Sequence, residues 1–376
     1  QDIKFKTLMI LMIGKLQKIY SKHLMKKNII INKLFRNNLD HPFIVAEISG
    51  NHQQSKRKAL RLIKEIKESG ADAVKLQTYT PDTMTFNLKS KDFLIKNKKS
   101  LWYGHYLYDL YKKAYTPWEW QKELFQYANK IGLICFSSVF DDSSIKFLNK
   151  INNPIYKISS FENTDLELIK NASLTKKPII LSTGLATKSE LNEAVKTIKK
   201  FGNKKFALLK CTSSYPAKSS DNNLLTIRDI TKKFKCVVGL SDHTQGIEIA
   251  IGAVALGAKI IEKHVKLTND NSSVDSKFAI DTKELKKLVE SCKSVFDAKG
   301  KVFYGPTETE LPSLKSIRTL YFNKSLKKNH VIKKEDVTRS RPGLGLKVKY
   351  LKNVVGKKIK KDIKIGTPIN FKLLVN

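Results

Sequence analysis

The chain has 376 residues, 41% of them hydrophobic, which is enough for one large domain and a small one. Its formal net charge is +37, but only seven of its 71 basic residues are arginine. Proteins that read nucleic-acid sequence favour arginine forks and clustered basic stripes, so the scattered lysines argue against nucleic acid or a membrane as the main partner. The positive charge would still attract anionic substrates such as phosphates.

The first 40 residues precede any repeating pattern, and we predict an N-terminal extension, disordered or helical, outside the catalytic fold. The apolar run at residues 8–13 is too short to span a bilayer. No small-residue cleavage site follows it, which argues against a secretory signal peptide.

Four cysteines are present, Cys135, Cys211, Cys236 and Cys292, and their spacing matches no metal-binding motif. Three of them lie in or at the ends of predicted strands. We interpret them as reduced thiols of a cytoplasmic protein.

From residue 41 a strand followed by a helix recurs eight times. The predicted strands are residues 43–47, 73–77, 133–137, 155–158, 178–182, 206–211, 236–240 and 259–263. Helical patterns separate and follow them, at residues 55–68, 117–130, 188–200, 224–233, 245–257 and 282–298 among others. Continuous apolar strands that alternate with helices indicate a parallel sheet buried on both faces. Eight such units in series predict an α/β fold of the (β/α)8 TIM barrel type, with an open doubly wound sheet as the alternative.

Two helices have clear start signals in the sequence. Thr116 before Pro117 is the pattern of an N-cap with proline at the first helical position. Thr187 with Glu190 three residues later is a capping box.

Two histidines, His243 and His264, lie just past the carboxyl ends of the last two predicted strands. Parallel neighbours run level with each other, roughly 4.8 Å apart, so the two side chains are expected side by side. Two imidazoles in that arrangement can share one metal ion.

Lys75 and Lys157 lie inside apolar strands, where a side chain points into the barrel or towards a helix. A buried lysine needs an anion, so two lysines among hydroxyl groups at one barrel mouth suit a phosphorylated or carboxylated ligand. Glu47 and Glu262 are candidates for acid–base or metal-contacting roles; the alternative is that they form salt bridges with those lysines.

Two further segments interrupt the barrel pattern or follow it. An insertion at residues 88–115 is rich in tryptophan and tyrosine, which suits substrate contact or a lid, or else a small core beneath the loop.

Residues 300–315 are predicted to be a linker between a barrel at residues 41–299 and a small unit at residues 316–376. That unit is expected to bury little apolar surface by itself. Arg341 before a Pro-Gly turn is a candidate anion clamp, or a surface arginine.

Many ordered stretches resemble one known family. They are PFIVAEISGNH, GADAVKLQTYTPDTMT, LYDLYKKAYTPWEW, CFSSVFD, YKISSFE, LSTGLAT, LLKCTSSYPA, VGLSDHT, ALGAKIIEKH, VDSKFAID and SRPGLGL. The chain thereby resembles the sialic acid synthase family, and within it most closely the pseudaminic acid synthases. The resemblance implies a (β/α)8 barrel followed by a small antifreeze-like (SAF) domain. It also implies an enzyme that condenses phosphoenolpyruvate with an N-acetylated amino sugar and releases phosphate.

The resemblance assigns expected roles to individual residues. Glu47, His243 and His264 are expected to be catalytic, the two histidines as ligands of a divalent metal, most often Mn²⁺ in this family. Asp275 is expected near the sugar, and Arg341 is expected to reach across a homodimer into the partner's barrel. The residues expected to hold phosphoenolpyruvate are Lys75, Ser138, Lys157, Ser160, Ser213, Tyr215, Ser241 and Glu262.

Two departures from the family pattern bear on function. Val139 stands where a proline often follows the paired serines, which removes no functional group. Residues 272–274 stand where many relatives have glycines and proline, close to Asp275, so the selectivity for the sugar is affected there.

The expected acceptor is 2,4-diacetamido-2,4,6-trideoxy-L-altrose, with pseudaminic acid as the product. The alternative within the class is N-acetylneuraminate or legionaminate synthesis. The alternative of another class is a non-enzymatic basic protein that binds polyanions.

Overall fold

Eight parallel strands form a closed sheet in this protein, whose structure, a computed structural model, describes residues 25–375. The strands are β1 Phe43–Glu47, β2 Ala73–Thr78, β3 Ile134–Val139, β4 Tyr156–Ile158, β5 Ile179–Ser182, β6 Phe206–Cys211, β7 Val237–Asp242 and β8 Ile260–Lys266. Each strand pairs with the next, and β1 also pairs with β8. The predicted barrel is therefore confirmed, and the open sheet is wrong because β1 has a neighbour on both sides.

Helices surround the sheet. They are α1 at residues 25–35, α2 Lys56–Glu68, α3 Pro81–Met84, α4 Leu107–Ala114, α5 Trp118–Lys130, α6 Asp142–Lys150, α7 Leu166–Leu174, α8 Lys188–Lys200, α9 Thr226–Phe234, α10 Glu248–Ala255 and α11 Thr282–Lys299. A two-residue strand, β9 Ile280–Asp281, pairs with the end of β8. The capping box of Thr187 and Glu190 at the start of α8 is confirmed. None of the helices described is long and apolar enough to cross a membrane.

The predicted N-cap at Thr116 is wrong. Helix α5 begins at Trp118 with Pro117 in the cap position, and no side chain caps it. The Thr116 hydroxyl instead lies 3.2 Å from His52 Nε2, and both residues are buried. The Thr116 hydroxyl therefore forms a buried hydrogen bond with His52 and does not cap helix α5, contrary to the local sequence pattern.

Successive side chains along each strand point to opposite faces of the sheet, which gives one hydrophobic core between the sheet and the helices and a second inside the barrel. Side chains such as Ile44 and Ala46 point outwards and pack against the helices. Their neighbours Phe43 and Val45 point into the barrel, with the inward side chains of the other strands. Towards the carboxyl ends the inward positions become polar, starting with Glu47, so the barrel interior is apolar at its floor and ionisable at its mouth.

Part of the N-terminal extension belongs to this barrel, which corrects the expectation that residues 1–40 lie outside the catalytic fold. Ile31 and Leu34 on α1, and Leu39 after it, are buried against the inward-facing side chains of the barrel floor. Helix α1 therefore closes the end of the barrel opposite the mouth. The apolar run at residues 8–13 lies outside the described residues.

The first compact unit of the chain ends at Gly300 and the second begins at Lys301. The second contains strands β10 Thr319–Phe322 and β11 Val337–Ser340, which pair antiparallel, and the short helix α12 Leu351–Val354. Contrary to expectation it has a core of its own, because turns and isolated bridges bring together small apolar groups far apart in sequence. The buried members of that core are Leu320, Phe322, Leu326, Ile332, Val354, Ile359, Ile363, Ile369 and Leu374.

Candidate active site

The strand register brings the polar ends of neighbouring strands together. Glu47 on β1 lies level with Lys75 on β2 and, on its other side, with His264 on β8. In the same way Ser241 on β7 lies level with Glu262 on β8. Since all eight strands run in one direction, these side chains meet at one mouth of the barrel.

A cavity of about 340 Å³ opens at that mouth. It brings together most of the residues that the sequence marked as candidates for the site. Those that line it are Glu47, Lys75, Lys157, Ser160, Ser213, Tyr215, Ser241, His243, Glu262, His264 and Asp275. Ser138 lies directly behind them, where its hydroxyl accepts a hydrogen bond from Lys75 Nζ at 3.1 Å.

Two lysines and two glutamates form a buried charge network at the base of the cavity. Lys75 Nζ lies 2.7 Å from Glu47 Oε1 and 3.6 Å from Glu262 Oε1, and Lys157 Nζ lies 3.5 Å from the same Glu262 oxygen. All four side chains are almost completely buried. The salt bridges considered from the sequence therefore exist, and they keep charged groups inside the barrel that burial alone would neutralise.

Burial and pairing have opposite effects on these groups. Burial raises the pKa of Glu47, but the ammonium of Lys75 and the nearby His264 outweigh burial and hold that pKa below its ordinary value. For Lys157 burial prevails, and its pKa is lowered. Glu47 is thus held as a carboxylate, and Lys157 is a cation that a further anion would stabilise.

Hydroxyl groups lie beside the lysines, and two of them pack closely against Gly184. Lys157 Nζ donates to Ser182 Oγ at 2.8 Å. A Cβ atom at Gly184 would lie 2.3 Å from Ser213 Oγ and 2.6 Å from Ser160 Oγ. Because Gly184 has no side chain, both hydroxyls can lie next to it, and hydroxyls near ammonium groups suit the oxygens of a phosphate or carboxylate.

His243 and His264 lie side by side, as predicted, with ring centroids 5.4 Å apart. His243 Nδ1 lies 3.0 Å from the carbonyl oxygen of Thr212, which can only accept, so Nδ1 carries a proton, and in the neutral ring Nε2 keeps its lone pair. His264 Nε2 is 3.2 Å from Glu47 Oε2. Its Nδ1 is buried without a hydrogen-bond partner, 3.8 Å from Asp275 Oδ2.

A buried ion pair supports the two histidines from behind. Lys263, next to His264, places Nζ 2.7 Å from Asp242 Oδ2 and 2.7 Å from the Thr244 carbonyl oxygen. Asp242, next to His243, also accepts from the Thr244 backbone N–H at 2.9 Å. Both charged side chains are fully buried, so they fix the ends of β7 and β8 relative to each other.

An aromatic wall covers the histidines on the outer side. The ring of Tyr215 lies 4.4 Å from His243, and the ring of Phe278 lies 4.8 Å from His264. Trp102, from the insertion, packs against both aromatic rings and donates Nε1–H to the carbonyl oxygen of Val274 at 3.1 Å. The aromatic insertion therefore contributes to the cavity wall through Trp102, and Tyr111 lines the cavity as well.

This fold and site can be compared with known proteins. Residues 62–304 match the NeuB family and residues 317–375 match the SAF domain. The chain belongs to the NeuB family. It is similar to a pseudaminic acid synthase of Campylobacter jejuni, with 42% identity over 86% of this chain and 94% of the relative. A pseudaminic acid synthase of Helicobacter pylori is also 42% identical, over 88% of this chain and 97% of the relative.

Other members of the NeuB family are more distant. An N,N'-diacetyllegionaminic acid synthase of Legionella pneumophila is 33% identical over 87% of this chain and 93% of the relative. Among solved structures, the N-acetylneuraminic acid synthetase of Leptospira borgpetersenii, in complex with citrate, has a TM-score of 0.65 and 31% identity. That match covers 73% of this chain and 91% of the other. NeuB proteins are condensing enzymes that use phosphoenolpyruvate, and this chain is one of them, so the non-enzymatic alternative is wrong.

NeuB synthases are generally metal-dependent, and the residues present here fit a metal. In the neutral ring His243 Nε2 has a lone pair for a metal, and His264 Nδ1 is a buried nitrogen without a hydrogen-bond partner. Within residues 25–375, no group of three or more histidine, cysteine, aspartate or glutamate side chains surrounds one point. The protein would therefore supply few ligands, which leaves positions for water or a substrate oxygen.

Some site residues of this NeuB protein were missed from the sequence. Glu162 lines the cavity, and its Oε2 is buried without a hydrogen-bond partner. Burial raises the pKa of Glu162 to about 7. Gly184 and Phe278 were also missed. These three residues lie in the family-like stretches YKISSFE, LSTGLAT and VDSKFAID, which were the available signal in the sequence. The role of each residue depends on how the loops at the barrel mouth are arranged, and the stretches do not reveal that arrangement.

Arg341 belongs to the second unit. It directly follows β11 and its side chain is exposed. Its expected role, at a barrel of a partner subunit, stays a prediction.

Proposed function

We propose that this chain is a pseudaminic acid synthase that condenses phosphoenolpyruvate with 2,4-diacetamido-2,4,6-trideoxy-L-altrose and releases phosphate. The observation that carries the proposal is the 42% identity to two pseudaminic acid synthases over 94% and 97% of their lengths. The legionaminic acid synthases reach only 32–33%. The apolar and aromatic part of the cavity, with Leu110 and Phe140, also suits a sugar with a deoxy carbon and acetyl groups.

Phosphoenolpyruvate binds at the base of the cavity in this proposal. Lys75 and Lys157 supply positive charge, and Ser160 and Ser213 supply hydrogen bonds in the space next to Gly184. Ser138, Ser241, Tyr215 and Glu262 complete the site, with Glu262 holding the two ammonium groups in place. Binding both substrates in register supplies much of the rate enhancement.

The reaction forms one carbon–carbon bond, adds one water molecule and breaks the carbon–oxygen bond to phosphate, while the aldehyde oxygen takes up a proton and becomes a hydroxyl group. The methylene carbon of phosphoenolpyruvate attacks the aldehyde carbon of the open-chain sugar, and positive charge develops at the neighbouring carbon. Water adds at that carbon, and the resulting tetrahedral centre expels phosphate. Glu47, held as a carboxylate by Lys75, is placed to stabilise the cationic centre or to accept a proton from the water.

His243 and His264 would hold the metal, for which we propose Mn²⁺. The chemistry that this ion supplies when bound is Lewis-acid polarisation of the sugar aldehyde. Asp275 lines the cavity and accepts a hydrogen bond from the Gly50 backbone N–H at 3.4 Å, and in this proposal it contacts the sugar.

The proposal extends to assembly and location. The chain forms a homodimer in which the SAF domain of one subunit brings Arg341 to the barrel of its partner. The resemblance to the sialic acid synthases supports this arrangement. The four free cysteines suit the cytoplasm, which we propose as the location.

The second candidate is an N-acetylneuraminate or legionaminate synthase, supported by relatives at 31–33% identity. Phosphate release from phosphoenolpyruvate with Mn²⁺ tests both candidates, with each sugar supplied separately. Release with the trideoxy altrose sugar, lost on chelation and in His264→Ala, supports the proposal. Release only with N-acetylmannosamine would keep the mechanism and overturn the substrate. Absence of release with every sugar would overturn the assigned activity.

A further inference from the structure

A second cavity, of about 460 Å³, lies away from the active site. Its wall includes residues that lead into β1, β2 and β3, such as His41, Asp72 and Leu133. These residues precede their strands, so the cavity lies at the amino-terminal end of the barrel, whereas the active site lies at the carboxyl-terminal end. Helix α1 forms part of its wall.

The charges in this cavity are strongly unbalanced. Its ionisable lining residues are Lys26, Lys27, His41, Lys67, Asp72 and Lys293. The single carboxylate is already engaged, since Asp72 Oδ2 accepts from the Ile44 backbone N–H at 2.9 Å and Oδ1 lies 3.0 Å from His41 Nε2. Four ammonium groups therefore share one cavity without a carboxylate of their own among the described residues.

Lys27 is the most informative of these groups. Its side chain lines the cavity, yet the residue is only 8% exposed. Its Nζ donates to the neutral side-chain oxygen of Asn129 at 3.2 Å, and no salt bridge to Lys27 exists within residues 25–375. Burying an ammonium without a compensating anion is costly, so the site is incomplete as an internal structure.

Neighbouring groups add to that cost. Lys67 Nζ donates to the backbone carbonyl oxygen of Gly132 at 3.0 Å, again a neutral partner. Burial and the charge of Lys26 both lower the pKa of Lys67. An anion in the cavity would relieve this repulsion and would give Lys27 its missing counter-charge.

We propose that this cavity, here called the lysine pocket, binds a small molecule that carries a phosphate or diphosphate group. Several ammonium groups around one space suit a multivalent phosphate, for which lysine is a common protein partner. A volume of about 460 Å³ is larger than a bare phosphate needs and falls within the range of small-molecule sites. Because α1 also closes the barrel floor through Leu34, the bound anion would hold that helix in place.

Calorimetric titration with pyrophosphate tests the proposal on the full-length protein. The wild type should show two classes of site, one at the active site and one in the lysine pocket. Lys27→Met should weaken one class about tenfold or more, the usual effect of removing a charged hydrogen-bonding partner. Lys293→Met, at an exposed position, should weaken the same class roughly threefold.

Lys196→Met, on the exposed face of α8 and outside both cavities, is the matched control and should bind pyrophosphate as the wild type does. Phosphate release measured on each variant reports separately on the active site. A titration in which Lys27→Met and Lys293→Met both bind pyrophosphate like Lys196→Met would overturn the proposal.

Discussion

Gly184 shows how a single missing side chain can shape an active site. A Cβ atom there would lie 2.3 Å from Ser213 Oγ, closer than real contacts allow. We predict that Gly184→Ala raises the KM for phosphoenolpyruvate at least tenfold, because the added methyl group fills the space between the hydroxyls and displaces Ser213. Steady-state kinetics with varied phosphoenolpyruvate measures this effect.

Gly252→Ala is the control for that substitution. Gly252 lies within helix α10, and its Cβ would lie 3.4 Å from Leu224 Cδ1, which is an ordinary van der Waals contact. Helical Gly→Ala changes are neutral or stabilising, so its KM should stay within about twofold of the wild type. Equal KM values in the two alanine variants would contradict the assignment of the space near Gly184 to the anion.

The buried carboxyl of Glu162 should make the stability of the protein depend on pH. Burial raises its pKa to about 7 in the folded state, above the ordinary 4.5. The folded state therefore binds more protons than the unfolded state between these values, and stability falls as pH rises through this window. The wild type should therefore lose on the order of 2–3 kcal/mol of unfolding free energy between about pH 5 and pH 8 that Glu162→Gln does not lose. We predict that the stability of Glu162→Gln relative to the wild type rises by that amount over this range.

Thermal unfolding at the two pH values measures the difference for Glu162. Glu193→Gln, on the exposed face of α8, controls for the loss of one negative charge. If the stability difference between Glu162→Gln and the wild type is the same at both pH values, the carboxyl does not titrate in this range.

The site residues that could be predicted from the sequence are those that stand out as polar groups within a single predicted strand or just after it. His243, His264, Lys75 and Lys157 are polar groups in or next to apolar runs, and the closed parallel sheet brings the ends of those runs together at one mouth. Gly184 and Glu162 were missed because their roles arise from space and burial, which depend on loops from several strands. The role of Glu47 was left open between chemistry and pairing, and the structure shows the ion pair with Lys75 directly.

At the scale of elements, the eight strands were predictable because each is an apolar run between turn signals. The observed bounds differ by up to three residues, and β7 and β8 run on to Asp242 and Lys266. Apart from Val265 these added residues are polar, so the hydrophobic pattern ends before the strand does. Helix α1 was misplaced for a different reason, since its partners on the barrel floor lie far away in sequence.

Helix α1 gives a test of that packing. Leu34 is 1% exposed against the barrel floor, whereas Ile29 on the same helix is 54% exposed. We predict that Leu34→Ala lowers the free energy of unfolding by about 2–5 kcal/mol, since it leaves a cavity in a closed core. Ile29→Ala should change it by no more than about 0.5 kcal/mol. Denaturant titration compares the two, and equal effects would show that α1 does not close the barrel.

At the scale of the whole molecule, the proposed dimer makes each active site depend on two subunits. His264→Ala removes a barrel function and Arg341→Ala removes the proposed contribution of the SAF domain. If Arg341 acts in the partner's barrel, mixed dimers of these two inactive variants have one complete site. An equal mixture should then recover about a quarter of wild-type phosphate release, because about half of the dimers are mixed and each has one working site.

Phosphate release after co-expression or subunit exchange measures this recovery. Each variant treated in the same way without the other is the control and should show no recovery of phosphate release. Absence of recovery despite confirmed mixed dimers would mean that Arg341 acts within its own chain or has no part in the reaction.

The net charge of +37 was the most misleading property of the sequence, because it suggests polyanions as partners. Lys75 and Lys157 are buried in the candidate active site, whereas other lysines, such as Lys196 on α8, lie on exposed helix faces. Composition therefore predicted an affinity for anions but not their location. The sequence likewise could not place the lysine pocket, which needs α1, α2 and α11 to come together.

The most direct test of the central claim is a competition between two sugars. Equal amounts of 2,4-diacetamido-2,4,6-trideoxy-L-altrose and N-acetylmannosamine are supplied with Mn²⁺ and limiting phosphoenolpyruvate, and the products are identified by mass spectrometry. The account predicts pseudaminic acid as the dominant product, with phosphate released in equal amount. N-acetylneuraminate as the dominant product would contradict it.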